Sequence, residues 1–329
     1  MVSLLSESHI DVRYPDCDPM GIVHHAVYPI WYEIARMDFF SAVGYPYEAM
    51  NKEGINPPMV NLNLQYAAPV RYPGHVTVRT TCTLCQGKKL ELRYAVYQDG
   101  SPRPVATATS FHIWTGPDMK SLDMSQKPEI YQKLLSAVEQ PGVLILAGGR
   151  STRMGRDKAA VSVQGKTMLQ RAVDFWHGML PHAPIYIAAG QPEHLPQLPE
   201  ATKAVYDQLP DRGPMGGLQA AFRETGCELL WVSAVDMPLL GQEAVSLLKK
   251  KRCHCEDACI FTRGGRPEPL LGLYRSTCLP RIDQLLAQGE NRMSSLLSSM
   301  RTTTVPLPNQ DWVRNVNTPD ELNQLLTEL

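Results

Sequence analysis

The pattern of apolar and polar positions changes its character near residue 140. Before that point, apolar residues alternate with polar ones over residues 76–84 and 90–96. A period of two indicates strands with one buried face, and Gly87 and Gly100 lie in turn sequences that suit hairpins. Long antiparallel strands with one apolar face require a partner element that covers this face.

The partner that we expect is a helix over residues 26–43. Pro29 is tolerated only in a first helical turn, so the helix should begin just before it. The predicted apolar side consists of Ile30, Trp31, Ile34, Ala35, Met37 and Phe40. One helix packed on an antiparallel sheet predicts an α+β fold for this part of the chain.

Downstream of residue 140, short apolar strands alternate with helical patterns. Residues 143–147, 184–189 and 229–235 are continuous apolar runs, as expected for buried parallel strands. Helical patterns over 168–179 and 218–223 lie between them, which predicts a doubly wound α/β domain. We therefore predict a first domain over 1–125, a linker with a short helical stretch over 126–140, and a second domain over 141–329.

Composition and charge exclude several classes of protein. The net charge is -1 and neither half is strongly basic, so we expect no nucleic-acid partner. No apolar run reaches the roughly 18–20 residues of a membrane span, and residues 1–9 lack a signal-peptide core. We expect a cytoplasmic protein with no membrane partner, whose 8 cysteines are thiols. The cluster of Cys253, His254, Cys255 and Cys259 lacks a second ligand pair at zinc-finger spacing, which favours thiols over zinc.

A glycine turn followed by cations is the strongest chemical signal in the second half. The strand at 143–147 runs into Gly148 and Gly149, and then into Arg150, Arg153 and Lys158. Glycines let the backbone approach phosphate oxygens, and the cations supply the charge that a triphosphate requires. Neither the Walker pattern nor the Rossmann fingerprint is present, so this is a different phosphate-binding loop.

Two carboxylates complement this loop. Asp236 sits where an apolar strand ends, a natural position for a Mg²⁺ ligand, although a helix cap or a loop ion pair would also explain it. Asp207 precedes a glycine-rich loop, 213–218, whose N–H groups could meet an anion or a base edge as it enters a helix.

Two asparagines near the C-terminus lack a structural explanation. Thr318 and Glu321 form a helix capping box, which accounts for both of them. Asn315 and Asn317 precede this box, and two carboxamides on an extended segment could read a heterocycle such as a pterin.

These motifs together resemble the molybdenum cofactor guanylyltransferases over about residues 141–329. The segments LAGGRSTRMGRDK, GPMGGL, VDMPLL and NVNTPDEL carry the likeness. The resemblance implies transfer of GMP from GTP to the phosphate of molybdopterin or the molybdenum cofactor, with Mg²⁺ held by Asp236 and pterin contacts from Asn315 and Asn317. The implied GTP contacts are Leu146, Ala147, Gly148, Gly149, Arg153, Lys158, Asp207 and Asp236.

The chemistry of that transfer follows from charge. The acceptor phosphate is already ionised, so we expect no general base, and Lys158 is the catalytic cation that offsets charge on the departing pyrophosphate.

In the first half, two acids precede the start of the helix. Asp16 and Asp18 lie before a Pro-Met-Gly turn, and the free N–H groups that follow could polarise a thioester carbonyl. A carboxylate beside them can act as nucleophile or base, or one of these acids can simply shape the turn.

This stretch resembles the hotdog-fold acyl-CoA thioesterases of the 4-hydroxybenzoyl-CoA type over about residues 5–120. The sequence DCDPMGIV with Tyr28, Trp31 and Arg36 carries the likeness. It implies that Asp18 is the catalytic carboxylate, that the backbone N–H of His25 polarises the carbonyl, and that the protein is a homo-oligomer, a dimer or tetramer.

Three hypotheses follow. The chain is a guanylyltransferase fused to an active thioesterase, or a thioesterase whose second half only binds nucleotide, or a guanylyltransferase dimerised by a hotdog module without activity. Retention of Lys158 and Asp236 argues against the second hypothesis, and retention of Asp18 argues less strongly against the third.

Overall fold

A computed structural model describes residues 5–101, 103–148, 158–189, 198–207, 212–316 and 318–328. The chain divides into two compact units. Unit 1 contains Met1–Glu139 together with Cys253–Cys255, and unit 2 contains Gln140–Arg252 together with Glu256–Leu329.

Unit 1 is built on an antiparallel sheet whose strand order is β1-β3-β4-β5-β2. This arrangement confirms the predicted α+β fold, with a long hairpin formed by β3 and β4. The elements are β1 (Leu5–Val12), α1 (Val27–Val43), α2 (Tyr47–Glu53), β2 (Met59–Tyr66), β3 (Gly74–Gln86), β4 (Lys89–Gln98), β5 (Ala106–Ile113) and α3 (Pro128–Ala137).

Helix α1 presents a different face to the core from the one that the sequence predicted. Trp31, Ala35 and Phe40 are buried as expected, but Ile30, Ile34 and Met37 are 54%, 40% and 43% exposed. The buried face is instead completed by Tyr28, Tyr32, Arg36 and Phe39. Aromatic rings bury more apolar area than Ile or Met side chains, so the helix turns its aromatic side inward.

Helix α3 belongs structurally to unit 1. Its Leu134 and Ala137 are buried in the same core as α1. The helical stretch predicted within residues 126–140 is therefore packed against unit 1, and this segment is not an extended connection.

Unit 2 contains a mixed sheet with the strand order β10-β9-β6-β11-β13-β12-β14. Strands β10, β9, β6 and β11 are parallel, whereas β13 runs antiparallel to both of its neighbours. The elements are β6 (Gly142–Leu146), β7 (Ser162–Val163), β8 (Lys166–Thr167), α4 (Met168–Met179), β9 (Ile185–Ala189), β10 (Thr202–Tyr206), α5 (Gly213–Thr225), β11 (Leu229–Ala234), α6 (Gln242–Lys251), β12 (Ala258–Arg263), β13 (Arg266–Arg275), α7 (Leu279–Ala287), α8 (Met293–Leu297), β14 (Thr302–Pro306) and α9 (Pro319–Glu328).

Helices cover both faces of this sheet, as the doubly wound fold requires. One apolar cluster joins the sheet to α4 and α6, and a second joins it to α5, α7 and α8. Helix α5 begins at Gly213, so the glycine-rich segment forms its first turns and is not a loop before it. Pro214, whose fixed φ suits a first helical turn, accounts for the early start.

The remaining sequence features concern thiols, metals and membranes. None of the eight cysteines forms a disulfide bond. No cluster of three His, Cys, Asp or Glu side chains suited to a metal occurs in the part of the chain that the structure describes. Among the same residues, no helix combines the length and apolar character that a bilayer crossing demands.

Candidate functional sites

The carboxyl ends of four parallel strands form one edge of the sheet in unit 2. Leu146 at the end of β6 pairs with Ala188 of β9 and with Ala234 of β11. β10 extends the edge, because Tyr206 pairs with Ala189. Polar residues that follow these strands are thereby brought together, although they are far apart in sequence.

Lys158 and Asp236 meet at this edge. The Nζ of Lys158 lies 2.7 Å from Oδ2 of Asp236, across 78 residues of sequence. The side chains are 24% and 10% exposed, so the pair is largely withdrawn from water. A buried carboxylate is costly without compensation, and Lys158 supplies that compensation here.

The other oxygen of the Asp236 carboxyl group has no partner in the described residues. Asp236 Oδ1 is buried without a hydrogen bond, and so is Oδ1 of Asn315. The two residues are held near each other because the backbone N–H of Val316 donates to the carbonyl of Asp236 at 3.1 Å. Carboxylate oxygens are donors that Mg²⁺ prefers, so Oδ1 of Asp236 fits such an ion.

Asp207 lies at the other end of the same edge, beside the first turns of α5. A Cβ atom on Gly216 would stand 2.9 Å from Oδ2 of Asp207, and one on Gly217 would stand 2.9 Å from the Cβ of Ala188. Glycine at these positions therefore allows the carboxylate and strand β9 to approach the helix closely. Burial raises the pKa of Asp207 to about 6.

Leu146, Ala147 and Gly148 lie between these two acids. The N–H groups of Ala147 and Gly148 both donate to the carbonyl of Ala188, at 2.9 and 3.1 Å, and the carbonyl of Leu146 accepts from Val235. These two N–H groups are therefore already paired within the sheet, and their predicted contacts with GTP stay a prediction. Gly149, Arg150, Arg153 and Asn317 lie outside the described residues.

The predicted capping box is confirmed at the start of α9. The N–H of Thr318 donates to Glu321 at 3.1 Å, and the N–H of Glu321 donates to the Thr318 hydroxyl at 3.2 Å. These two residues are accounted for structurally, whereas Oδ1 of Asn315 has no partner among the described residues.

In unit 1, Asp16 and Asp18 have different surroundings. Asp16 is 3% exposed and accepts hydrogen bonds from the backbone N–H of Arg13 at 2.9 Å and from its guanidinium at 2.8 Å. Burial raises the pKa of Asp16, but the hydrogen bonds and charge of Arg13 outweigh this and hold it below the usual range. Asp16 therefore fixes the start of the turn.

Asp18 is half-buried and keeps one oxygen uncommitted. Its Oδ1 accepts from the N–H of Met20 at 2.8 Å and from that of Ile22 at 3.4 Å. Its Oδ2 has no hydrogen-bond partner in the described part of unit 1. Asp18 thus shapes the turn and still presents a carboxylate oxygen to a ligand.

The backbone of His25 is held in place on both sides. Val27 N–H donates to the carbonyl of His24 at 2.9 Å, which orients the peptide whose N–H belongs to His25. The hydroxyl of Tyr66 donates to the carbonyl of His25 at 2.9 Å. Within the described residues the His25 N–H has no acceptor. It can therefore donate a hydrogen bond to the carbonyl oxygen of a ligand.

Tyr66 is the positioning residue that sequence reasoning missed. Its ring packs edge-on against Tyr28 of α1, with centroids 5.0 Å apart. It lies 41 residues after His25, at the end of β2, so no local spacing connects the two residues. The strand that carries it, β2, was not among the strands that the sequence pattern predicted.

Comparison with known proteins places both units in families. Residues 143–304 match the family described as the MobA-like NTP transferase domain. A probable molybdenum cofactor guanylyltransferase of Mycobacterium tuberculosis (strain ATCC 25618 / H37Rv) is 34% identical over 180 residues, which are 53% of this chain and 87% of that protein. The chain belongs to the family of the molybdenum cofactor guanylyltransferases.

A solved structure agrees with the fold of this guanylyltransferase-like domain. The molybdopterin-guanine dinucleotide biosynthesis protein A of Archaeoglobus fulgidus has 23% sequence identity and a TM-score of 0.50, over 57% of this chain and all of that one (100%). At this identity the likeness supports the α/β fold alone.

The first unit carries a thioesterase-like hotdog domain, because residues 12–138 match the thioesterase-like superfamily. A DHNA-CoA thioesterase of Staphylococcus aureus is also similar, with 28% identity over 40% of this chain and 91% of that one, and a TM-score of 0.37.

The buried charge of Asp207 leads to a prediction about stability and pH. The folded-state pKa of about 6 lies above the value of about 3.9 for an unfolded chain. The folded protein therefore loses stability as the pH rises from about 4 through 6, because Asp207 must then ionise while buried. We expect Asp207→Asn to unfold at a higher temperature than the wild type at pH 7.5, and the difference to become much smaller at pH 4.5.

Thermal unfolding of both proteins from pH 4.5 to 8 measures this difference. Asp311→Asn changes an exposed aspartate of unit 2 and should show no such trend. A difference between Asp207→Asn and the wild type that stays constant over the whole pH range would contradict the assignment.

Proposed function

We propose that unit 2 transfers GMP from Mg-GTP to the phosphate of molybdopterin, releasing pyrophosphate. The observation that carries this proposal is the ion pair of Lys158 and Asp236 at the same sheet edge as Asp207. The membership of the guanylyltransferase family supports GMP as the transferred group.

The length of the edge suits a nucleoside triphosphate. Asp207 follows β10 and Asp236 follows β11, which are three strand spacings apart in the sheet. At about 4.8 Å for each spacing, the two acids are roughly 14 Å apart along the edge. One acid can then serve the guanosine end of the substrate while the other serves the phosphates, with Leu146, Ala147 and Gly148 between them.

The metal, when bound, neutralises charge on the phosphates. Asp236 would hold it through Oδ1, because Oδ2 is already paired with Lys158. Because Lys158 already contacts Oδ2, Oδ1 is the oxygen of this carboxyl group that remains for a cation.

The residues supply position and charge, and no proton needs to be abstracted. The acceptor phosphate is ionised at neutral pH and attacks the α-phosphorus of GTP, and the bond to pyrophosphate breaks. Lys158 stands where it can offset the negative charge that grows on the leaving oxygens. Gly149 and Arg153, which the family resemblance also implicates, would add phosphate contacts.

The acceptor side of the site is assigned to Asn315 and Asn317. The unpartnered, buried Oδ1 of Asn315 is an acceptor that a pterin amino or ring N–H group can satisfy. Its proximity to the backbone of Asp236 supports an acceptor bound next to the phosphates.

Release of pyrophosphate tests the transfer. The wild type should release pyrophosphate from Mg-GTP only when molybdopterin is supplied, because no water is positioned as acceptor in this scheme. Lys158→Ala should lower the rate about 100-fold or more, since one preorganised charge at the leaving group is lost.

Lys203→Ala removes an exposed lysine of β10 and should retain the wild-type rate. Circular dichroism is the control that checks whether Lys158→Ala is folded. Pyrophosphate release without molybdopterin, or an unimpaired folded Lys158→Ala protein, would refute the assignment.

We further propose that unit 1 hydrolyses acyl-CoA thioesters. The free Oδ2 of Asp18 is a carboxylate that can attack a thioester or activate water, and the His25 N–H can bind the carbonyl oxygen as negative charge develops. Burial raises the pKa of Tyr66, so its hydroxyl remains protonated and continues to hold the His25 carbonyl.

We also propose that unit 1 forms a homodimer. Strand β2 lies at the edge of the sheet, and its Val60 and Tyr66 are 61% and 50% exposed. An exposed edge strand with apolar side chains is a site where a second copy can pair. A second copy paired along β2 would also be close to His25, because Tyr66 of β2 contacts His25.

A matched pair of substitutions tests the hydrolase. Asp18 and Asp118 each accept the N–H of the residue two positions later through Oδ1, at 2.8 and 3.0 Å, so Asn preserves both turns. Asp18→Asn should lower hydrolysis of a panel of acyl-CoAs about 100-fold or more, and Asp118→Asn should not change it.

Hydrolysis that is unchanged in Asp18→Asn, or absent from the wild type on every thioester, would favour a hotdog module without activity. Pyrophosphate release by the same preparations shows that the protein is folded and active in unit 2. It therefore distinguishes an inactive hotdog module from a misfolded protein.

A further inference from the structure

A pocket of about 270 Å³ lies in unit 2, between helix α4 and the segment that follows β11. Its walls come from both of these segments and combine apolar side chains, including Met168, Phe175 and Leu240, with polar and charged ones. Val235 and Met237, the neighbours of Asp236 in sequence, also line it.

This pocket is distinct from the place assigned to the guanosine. Met168, Trp176, Val235 and Met237 belong to the apolar cluster on the α4 face of the sheet. Asp207 instead contacts Gly216 of α5, whose apolar residues pack on the opposite face. A molecule in the pocket therefore would not replace the base of a nucleotide beside α5.

Most polar groups that line the pocket are already paired. Trp176 donates to the hydroxyl of Ser233 at 2.8 Å. Asp174 accepts from Lys166 at 2.6 Å through one oxygen and from Gln170 at 2.7 Å through the other. Burial raises the pKa of Asp174, but these hydrogen bonds outweigh it and hold the pKa below its usual range, so the pair with Lys166 is ionic.

Arg171 is the exception in this lining. It forms no hydrogen bond or ion pair with any residue that the structure describes, and its Nε is buried without an acceptor. A guanidinium is always charged at physiological pH and pairs best with a planar anion such as a carboxylate. An unpaired guanidinium beside the apolar side chains of this pocket thus favours an anion attached to an apolar body.

The volume of the pocket limits the size of the apolar part of the ligand. A closed apolar cavity of about 150 Å³ is large enough to hold benzene. The remaining space of this larger pocket then accommodates a carboxylate beside a single ring or a short branched chain.

We propose that this pocket binds a small organic carboxylate with an apolar body, through Arg171. Hydrolysis of an acyl-CoA releases an acid of this class, so on the proposed function of unit 1 its own product is one source of the ligand. Other acids in solution are the second source, and the binding chemistry is the same for both.

Isothermal titration of the full chain with sodium benzoate tests the proposal directly and needs neither activity. Benzoate should bind with a Kd of about 1 mM or tighter, whereas benzylamine, with the same ring and the opposite charge, should not bind. Arg171→Gln should weaken benzoate binding at least about tenfold, because a charge-assisted hydrogen bond is lost. Arg266→Gln, on the exposed β12–β13 hairpin, should bind like the wild type.

A second variant keeps the positive charge of Arg171 and fills the volume of the pocket. Ala172→Leu fills the pocket from α4 and should abolish benzoate binding while Arg171 remains. The proposal is overturned if benzoate does not bind, if inorganic phosphate binds as tightly as benzoate, or if folded Arg171→Gln and Ala172→Leu proteins both bind like the wild type. Titrating the acids released from the acyl-CoAs that unit 1 hydrolyses then identifies the source, and a failure of that hydrolysis leaves the benzoate result unchanged.

Discussion

The contact between Lys158 and Asp236 is the interaction on which the account of unit 2 depends. A carboxylate that is almost wholly buried would be strongly destabilising without a partner. The ammonium group of Lys158 is that partner, and it offsets the cost of burying Asp236. The pairing is possible only because β6 and β11 are parallel neighbours whose carboxyl ends coincide. Segments that are remote in sequence are thereby brought together, and they carry the carboxylate that we propose as the metal ligand and the lysine that we propose as the phosphate-binding cation.

Those features that depend on local backbone chemistry were predictable. Helix α4 has the bounds that its periodicity predicts, and the capping box of Thr318 and Glu321 forms as expected. The buried parallel strands were identifiable because a strand covered on both faces leaves an uninterrupted apolar run. Asp236 could be singled out because ligands of open α/β sheets collect beyond the strand ends.

Other features depended on tertiary packing, and local patterns could not reveal them. Helix α1 carries apolar residues around much of its circumference, so periodicity alone chose a face that includes Ile30 and Met37, which are exposed. The N–H groups of Ala147 and Gly148 both donate to Ala188 in the neighbouring strand, and no local pattern predicts this pairing. Arg171 gave no signal, because its significance comes from what α4 and the segment after β11 enclose together.

The distinction between Asp16 and Asp18 shows the same limit in unit 1. The two acids stand two residues apart and are equivalent by type, yet Arg13 binds both oxygens of one and leaves the other with a free oxygen. Only the three-dimensional arrangement of partners separates a residue that shapes the turn from one that can react.

The affinity for GTP, measured by titration with and without Mg²⁺ for the wild type and for Asp236→Asn, tests the central claim most directly. We expect Mg²⁺ to strengthen binding of GTP to the wild type, and we expect this gain to disappear in the folded variant, because the metal has lost its carboxylate. Equal affinity of the wild type with and without Mg²⁺, or an undiminished gain in Asp236→Asn, would contradict it.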